Sequence, residues 1–208
     1  QLGGNTFTAN DGAPMLIDYA YVNVPSENDT YSGNGTNRIL LYDNGNGIKT
    51  NTTWNKVDVD YQVLASVEII VKEGALFTVD AGLNAFFESG SSITVRDDAA
   101  MSAIGTENDR IDFYGATASN GSWGGLYYTF TANALNVLEQ VNIEDAGGPG
   151  FDGAIYMWAS PRLTVRNSYI GNSGSCAFYA GGSGSGNPNL TTENVTFAAN
   201  NGADFCED

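Results

Sequence analysis

Three segments of this chain repeat at a fixed step of 27 residues, and this step limits the possible folds more than any other feature. The segments are NVLEQVNIEDAGG (136–148), LTVRNSYIGNSGS (163–175) and LTTENVTFAANNG (190–202), and they place Ile143, Ile170 and Phe197 at equivalent positions. A period of this length, with apolar residues two or three positions apart and Asn, Gly and Ser between units, is typical of stacked coils. One unit cannot bury its apolar face alone, so the repeat predicts coils that stack on their neighbours.

Residues 61–145 contain a succession of short strand patterns in which apolar residues alternate with polar ones. The clearest are VEIIV (67–71), LFTV (76–79), SITV (92–95), RIDFYG (110–115) and WGGLYY (123–128). No segment shows a sustained apolar period of 3.6 residues, so parallel strands joined by crossover helices are not supported. The sequence therefore predicts an all-β fold, a right-handed parallel β-helix (β-solenoid). A recurrence of tyrosines at Tyr128, Tyr156 and Tyr179 predicts that similar residues stack from coil to coil.

The first 60 residues are less regular than the rest of the chain. Strand patterns at 5–14, 15–24, 38–48 and 56–61 are separated by polar loops such as PSENDTYSGNGTN (25–37). A solenoid needs a cap, because an open end exposes unpaired backbone N–H and C=O groups. We therefore divide the chain into an irregular β-rich N-terminal cap at 1–60 and a parallel β-helix at 61–208, together forming one structural unit.

The two ends of the chain carry similar segments, NTFTANDGA (5–13) and NVTFAANNGAD (194–204). Internal duplication explains the similarity. A second explanation is that the first strand of one molecule takes a coil-like position against the last coil of another, a head-to-tail contact that does not close and gives filaments. The candidate assembly residues are Asn5, Thr6, Phe7, Thr8, Phe197 and Phe205.

The charge balance excludes several classes of partner. The chain has 24 acidic and 8 basic residues, no His, and a net charge of −16. Nucleic-acid binding needs clustered Lys and Arg, which are absent, so no nucleic-acid partner is expected. No apolar run approaches the length of a membrane span, so no membrane insertion is expected. The chain begins at Gln1 without a signal-like segment, which fits a mature exported protein, although a truncated sequence looks the same.

A family resemblance rests on VEIIVKEGALFTVDAG (67–82), RIDFYG (110–115), SWGGLYY (122–128) and the unit at 136–148. Together these resemble secreted bacterial right-handed parallel β-helix proteins, over about residues 54–208. Members of that group include surface proteins, adhesins and enzymes that act on polysaccharides. The resemblance therefore implies a fold and an extracellular or cell-surface location, and it leaves the activity open.

Candidate catalytic and metal sites are weak. Without His, neither the usual nucleophilic triad nor a zinc site can form. A lyase-like pair at Arg162 and Arg166 has the simpler interpretation of ion pairing, and acidic residues near coil corners are too common to single out a hydrolase pair. Ca²⁺ is the one metal that the chain could hold, but the segment at 43–47 is better explained as a turn. We expect no catalytic residues and no cofactor.

Two cysteines, Cys176 and Cys206, make up the whole thiol content. Aligning Gly174 with Gly202 places them on adjacent coils, offset by about two residues, slightly beyond the usual disulfide range. A frayed final coil closes this gap, so we predict a disulfide that fixes the C-terminus. If the protein is glycosylated, the loop asparagines Asn28, Asn34 and Asn120 are the best candidates.

These features predict a non-catalytic extracellular structural protein, either a surface adhesin or a subunit of a head-to-tail filament, with itself or surface glycans as partner. The alternative is a carbohydrate-binding or polysaccharide-degrading module that uses acidic corners and the aromatic residues Trp123, Tyr127 and Trp158, taken to be exposed.

Overall fold

The chain folds into a parallel β-solenoid of about seven turns in the computed structural model, which describes residues 3–181 and 189–208. The predicted all-β, parallel β-helical fold is confirmed. The described strands are β1 (Thr6–Thr8), β2 (Met15–Asp18), β3 (Thr30–Ser32), β4 (Arg38–Tyr42), β5 (Thr52–Trp54), β6 (Asp60–Val63), β7 (Glu68–Val71), β8 (Leu76–Val79), β9 (Asn84–Phe87), β10 (Ser92–Val95), β11 (Ala100–Ile104), β12 (Ile111–Gly115), β13 (Gly125–Thr129), β14 (Val137–Glu139), β15 (Val141–Glu144), β16 (Gly153–Trp158), β17 (Arg162–Arg166), β18 (Tyr169–Gly171), β19 (Cys176–Gly181), β20 (Asn189–Glu193), β21 (Thr196–Ala198) and β22 (Phe205–Glu207).

Successive turns of the solenoid add one strand to each of three long parallel sheets. The eight-stranded sheet has the order β2-β4-β6-β9-β12-β15-β18-β21. The two six-stranded sheets have the orders β7-β10-β13-β16-β19-β22 and β5-β8-β11-β14-β17-β20. A fourth sheet contains β1 and β3 alone. Because every turn from β5 onward visits the three sheets in the same order, residues far apart in the chain become nearest neighbours in space.

The repeat of 27 residues corresponds to the register of the last complete turns. Ile143 pairs with Ile170, and Ile170 pairs with Phe197, along β15, β18 and β21. Leu138 and Val165 are paired in the same way between β14 and β17. Equivalent residues therefore stack along the solenoid axis, as the periodicity predicts.

The core is a single column of apolar side chains enclosed by the three sheets. Burial alternates along most strands, so that one residue in two faces inward. Trp54, Phe77, Phe87 and Phe113 are fully buried, with ring centroids of Trp54 and Phe77 5.8 Å apart and those of Phe87 and Phe113 5.9 Å apart. This burial provides the main stabilising term, since each large side chain removed from water contributes about 1.5–3 kcal/mol.

The N-terminal segment already contributes strands to the solenoid. β2 and β4 extend the eight-stranded sheet, and β5 begins one of the six-stranded sheets. The segment 25–37, predicted to be a loop, contains β3, so that prediction was wrong at this point. In β3 only Tyr31 faces inward while Thr30 and Ser32 are exposed, and a strand of three residues gives too short an alternation to recognise.

The one helical element among the described residues is a 3-10 turn at Tyr19–Tyr21, where the Asp18 carboxylate accepts a hydrogen bond from Ala20 N–H. Within the described chain, no helix has the length and apolar character to cross a bilayer.

Candidate assembly interface

At each of its two ends the solenoid has sheet edges for which the described residues supply no further strand. At one end β1 pairs with β3 on one side only, and at the other end β20, β21 and β22 are the last strands of the three long sheets. Side chains of β20, β21 and β22 are mostly exposed, in contrast to the buried strands beneath them. An unpaired strand edge is a template for pairing with another chain.

The start of β1 is held by a buried carboxylate. Asp29 accepts hydrogen bonds from the backbone N–H and the side-chain amide of Asn5, both at 2.9 Å, and from Ser26 N–H at 3.0 Å. Burial acts to raise the pKa of Asp29, but the hydrogen bonds from Asn5, Ser26 and Tyr31 outweigh it and lower that pKa below the ordinary value of 3.8. Asn5, a predicted assembly residue, therefore also fixes the position of β1.

The other predicted N-terminal residues present two faces. Phe7 points inward and stacks on Tyr31 with ring centroids 5.1 Å apart. Thr6 and Thr8 are exposed on the opposite face. Asn5 C=O and Ala9 N–H both bond to β3. Because the backbone groups of alternate residues in a strand point to opposite sides, those of Thr6 and Thr8 point away from β3 and face the open edge.

At the C-terminal end, the last coil exposes aromatic residues. Phe205 stacks on Phe178 at 5.3 Å and contacts Phe197 edge-on at 5.6 Å, yet 54% of its surface remains exposed. An open cavity of about 360 Å³ beside them is lined by Phe178, Leu190 and Phe205 together with Met157. Phe197 and Phe205, both predicted assembly residues, are thus in contact and form the C-terminal aromatic surface.

A disulfide joins Cys176 to Cys206, as predicted, with the two Cα atoms 6.2 Å apart. It links β19 to β22 and therefore ties the last strand to the coil beneath it. No free cysteine occurs in the described part of the chain.

The similarity of the two ends extends to structure. β1 and β21 have three residues each, and the corners that follow them, 9–14 and 199–204, both have six residues before β2 and β22 begin. Thr6 corresponds to Thr196 and Met15 to Phe205, a constant difference of 190 in residue number. The first and last strand–corner–strand units are therefore matched in length as well as in sequence.

The corners also share a hydrogen-bond pattern centred on asparagine, which the sequence analysis missed. Asn34 Oδ1 accepts from Asn10 N–H at 3.2 Å, and Asn34 Nδ2 donates to Phe7 C=O at 3.1 Å. At the other end, Asn200 Oδ1 accepts from Ser173 N–H at 2.9 Å, and Asn200 Nδ2 donates to Ile170 C=O at 3.3 Å. In both cases the asparagine of one turn caps the corner of the preceding turn.

The aromatic residues of the six-stranded sheet β7–β22 are arranged differently from the prediction. The outward ladder is Tyr127, Tyr156 and Tyr179, with centroids 5.0 and 5.2 Å apart, and Trp158 lies 6.3 Å from Tyr156. Tyr128, assigned to this ladder from the sequence, is buried in the core.

Trp123 was predicted to be exposed, and this was wrong. It is fully buried, stacks on Phe87 at 4.1 Å and donates its indole N–H to Glu144 C=O at 2.8 Å. A residue just before a strand can turn inward at a corner, which alternation within the strand does not reveal.

The three glycosylation candidates differ in whether the side-chain amide nitrogen donates a hydrogen bond within the protein. Asn120 Nδ2 donates to Ala199 C=O at 2.9 Å, and Asn34 Nδ2 donates to Phe7 C=O. A glycan on either nitrogen would disturb these bonds, whereas Asn28 is exposed and its side-chain amide has no such bond within the described chain. Among the three predicted candidates, this favours Asn28 as the acceptor.

Of the two arginines considered for a lyase-like pair, one has a structural partner. Arg166 forms an ion pair with Glu139 at 2.7 Å, and this hydrogen bond raises the pKa of Arg166. Arg162 is exposed on the same strand. At the predicted turn at 43–47, the Asp43 carboxylate accepts from Gly45 N–H at 2.7 Å.

The carboxylates of Asp112 and Glu144 lie on the outer face of the eight-stranded sheet. Burial, together with the charges of Asp145 and Asp112, raises the pKa of Glu144. Asn142 donates to Asp112 at 2.6 Å, and Asn172 donates to Glu144 at 3.4 Å, so both carboxylates have amide partners. Across residues 3–181 and 189–208, no three His, Cys, Asp or Glu side chains converge to form a metal-binding group.

Comparison of the chain with protein families, with curated proteins and with solved structures gives no match.

Proposed function

We propose that this protein is a non-catalytic extracellular structural protein whose solenoid joins head to tail with further copies of itself to form a filament at or near the cell surface. The observation that carries the proposal is the match between the first and last strand–corner–strand units, each of which lies at an open edge. A parallel sheet that ends in such an edge can be continued by any chain that presents the same spacing.

The extracellular location is supported by the disulfide, which forms and persists in oxidising compartments. A net charge of −16 keeps a β-rich protein soluble and opposes lateral association of its outer faces. The contact between ends is therefore the one in which two copies gain backbone pairing.

The proposal is tested by sedimentation and electron microscopy of the protein and of Thr6→Pro. Proline removes the N–H that Thr6 presents at the open edge and is tolerated at the first residue of an edge strand. We expect filaments from the wild-type protein and shorter or no filaments from Thr6→Pro. Thr6→Val keeps the N–H and is the matched control. A wild-type protein that stays monomeric at high concentration would overturn the proposal.

A second candidate function is carbohydrate binding on the outward ladder of Tyr127, Tyr156 and Tyr179 with Trp158. Stacked aromatic side chains on a flat sheet face offer apolar surfaces for sugar rings. Titration with glycan panels while following tryptophan fluorescence tests it, with Tyr156→Ala as the variant. Binding that Tyr156→Ala abolishes would support a surface-glycan partner, and no response to any glycan would remove this candidate.

A further inference from the structure

We propose that the contact between copies has one fixed register, in which residue n of one copy lies opposite residue n + 190 of the next, so that β1 pairs with β21 and β2 with β22. This inference rests on the proposed function and specifies its partner surface: a second copy of this chain, joined by continuation of two parallel sheets through an asparagine-capped corner. Three observations carry it, one for each part of the unit.

The strand edges have complementary backbone groups. In β21, Thr196 N–H donates to Ser168 C=O at 2.9 Å, and Ala198 C=O accepts from Asn172 N–H at 3.0 Å, so Thr196 and Ala198 face β18. The N–H and C=O of Phe197 must then face the open edge. Thr6 and Thr8 present their backbone groups at the open edge of β1. A parallel ladder between the two edges therefore needs a residue of β1 that faces β3 opposite Phe197. Phe7 is such a residue, and it is the one that a difference of 190 gives.

The corners continue the same pattern. Within one copy, the asparagine of the later turn accepts from a backbone N–H of the earlier turn and donates to a strand C=O, as Asn200 does to the turn of β18. In the proposed register Asn10 takes this role above Asn200: its Oδ1 accepts from Asn200 N–H, and its Nδ2 donates to Phe197 C=O. In the described chain neither Asn10 Oδ1 nor Asn200 N–H has a hydrogen-bond partner. The second Nδ2 hydrogen of Asn10 keeps its bond to Asn34 Oδ1 at 2.8 Å.

The second strands complete the contact. The difference of 190 places Met15 opposite Phe205, and both belong to the inward face of their strands. Met15 is partly buried against the core of its own copy, and Phe205 is the most exposed member of the C-terminal aromatic surface. Docking would bring these two side chains together and continue the column of apolar residues from one copy into the next.

Cysteine cross-linking measures the register directly. Thr8→Cys in one preparation is mixed with Ala198→Cys in another, so that a mixed disulfide reports a head-to-tail contact. Both side chains are exposed, and the native cysteines are already bonded to each other. Residues opposite each other on paired strands have Cα atoms about 5 Å apart, within disulfide range, whereas a shift of two residues gives about 8 Å. The matched control is therefore Thr6→Cys mixed with Ala198→Cys.

We expect the Thr8→Cys and Ala198→Cys mixture to cross-link at least about tenfold faster than the control mixture. A second in-register pair, Thr6→Cys with Thr196→Cys, should cross-link as well and does not depend on the folding of the Thr8 variant. If the wild-type protein forms filaments but the shifted control cross-links faster, or neither in-register pair cross-links, this register is overturned and the proposed function still stands. A monomeric wild-type protein would overturn both.

Discussion

Removal of the Cys176–Cys206 disulfide should loosen the last coil of the solenoid without unfolding the rest. The perturbation is the double variant Cys176→Ser with Cys206→Ser, which avoids leaving a single reactive thiol. The cross-link closes a loop between residues 30 apart, and that loop is the final coil itself. Because each coil of a solenoid contacts only its neighbours, the effect is expected to stay local.

The size of the effect follows from loop-closure entropy. A loop of 30 residues corresponds to about 3.6 kcal/mol at 25 °C. Side-chain burial adds little to the pairing of the last coil, since its strands are mostly exposed and Phe205 is only partly covered by Phe178 and Phe197. The loss should therefore appear as opening of β20–β22, with amide protection there falling by up to about 400-fold.

Hydrogen exchange followed by mass spectrometry resolves this by segment. We expect faster exchange in peptides that cover 189–207 of the double serine variant and unchanged exchange in peptides that cover 61–115. Adding a reductant to the double variant should change nothing further, which controls for effects of the reagent. Equal protection of 189–207 in the variant and the wild-type protein would show that packing, not the disulfide, holds the last coil. If the proposed register is correct, the double variant should also assemble more weakly, because β22 is half of the docking surface.

Three further predictions concern a backbone contact, a carboxylate and net charge. Gly125→Ala should lower the free energy of unfolding, measured by denaturant titration, by about 3 kcal/mol or more. Gly125 has a φ of +116°, and an added Cβ would lie 2.3 Å from Ala154 C=O. The control Gly12→Ala, whose added Cβ would have no atom within 4 Å, should change the free energy of unfolding by less than about 0.5 kcal/mol. Because the pKa of Asp29 is lowered, its contribution to stability is present above pH 3.8 and is lost as the pH falls below that value through the folded-state pKa. Amide hydrogen exchange at residues 5–8 should therefore rise in that range relative to the unfolded chain. Asp29→Asn should remove this pH dependence. Filament formation should increase between about 0.01 and 0.15 M ionic strength, over which the Debye length falls from about 30 to about 8 Å, because each copy carries −16; light scattering that decreases with salt would contradict this.

The fold could be predicted because the number of residues per coil is constant in the part of the chain where the repeat is visible. Ile143, Ile170 and Phe197 stack as predicted, since the same number of residues separates them in the chain and in the register. The tyrosine ladder failed for the opposite reason. The turn from β13 to β16 is longer, and Tyr127, not Tyr128, pairs with Tyr156. A slip of one residue moves a side chain to the other face of the sheet, and two adjacent tyrosines give no signal for choosing between them.

The candidate interface could be predicted only in part. The similarity between the two ends identified Phe7 and Phe197, because aromatic residues stand out in a polar segment. Asn10 and Asn200 were missed, although they are in the same segments, since asparagine is common in every corner of this chain. Their role depends on which backbone groups each strand directs toward its neighbour, and that is set by pairing between turns, not by local sequence.

The same pairing rule is the reason that we propose assembly through the ends of the solenoid and not through its outer faces. On the outer faces, carboxylates such as Asp112 and Glu144 already bond to amide side chains of adjacent turns, so a second copy approaching from the side would meet negative charge and occupied donors. At the ends, the N–H and C=O of Phe197 and the backbone of Thr8 face an edge for which the described chain provides no strand. Water can satisfy these groups, but only another strand of matched spacing can also cover the exposed ring of Phe205. Axial pairing therefore combines two favourable terms that lateral contact lacks, and it is the contact that the proposed filament requires.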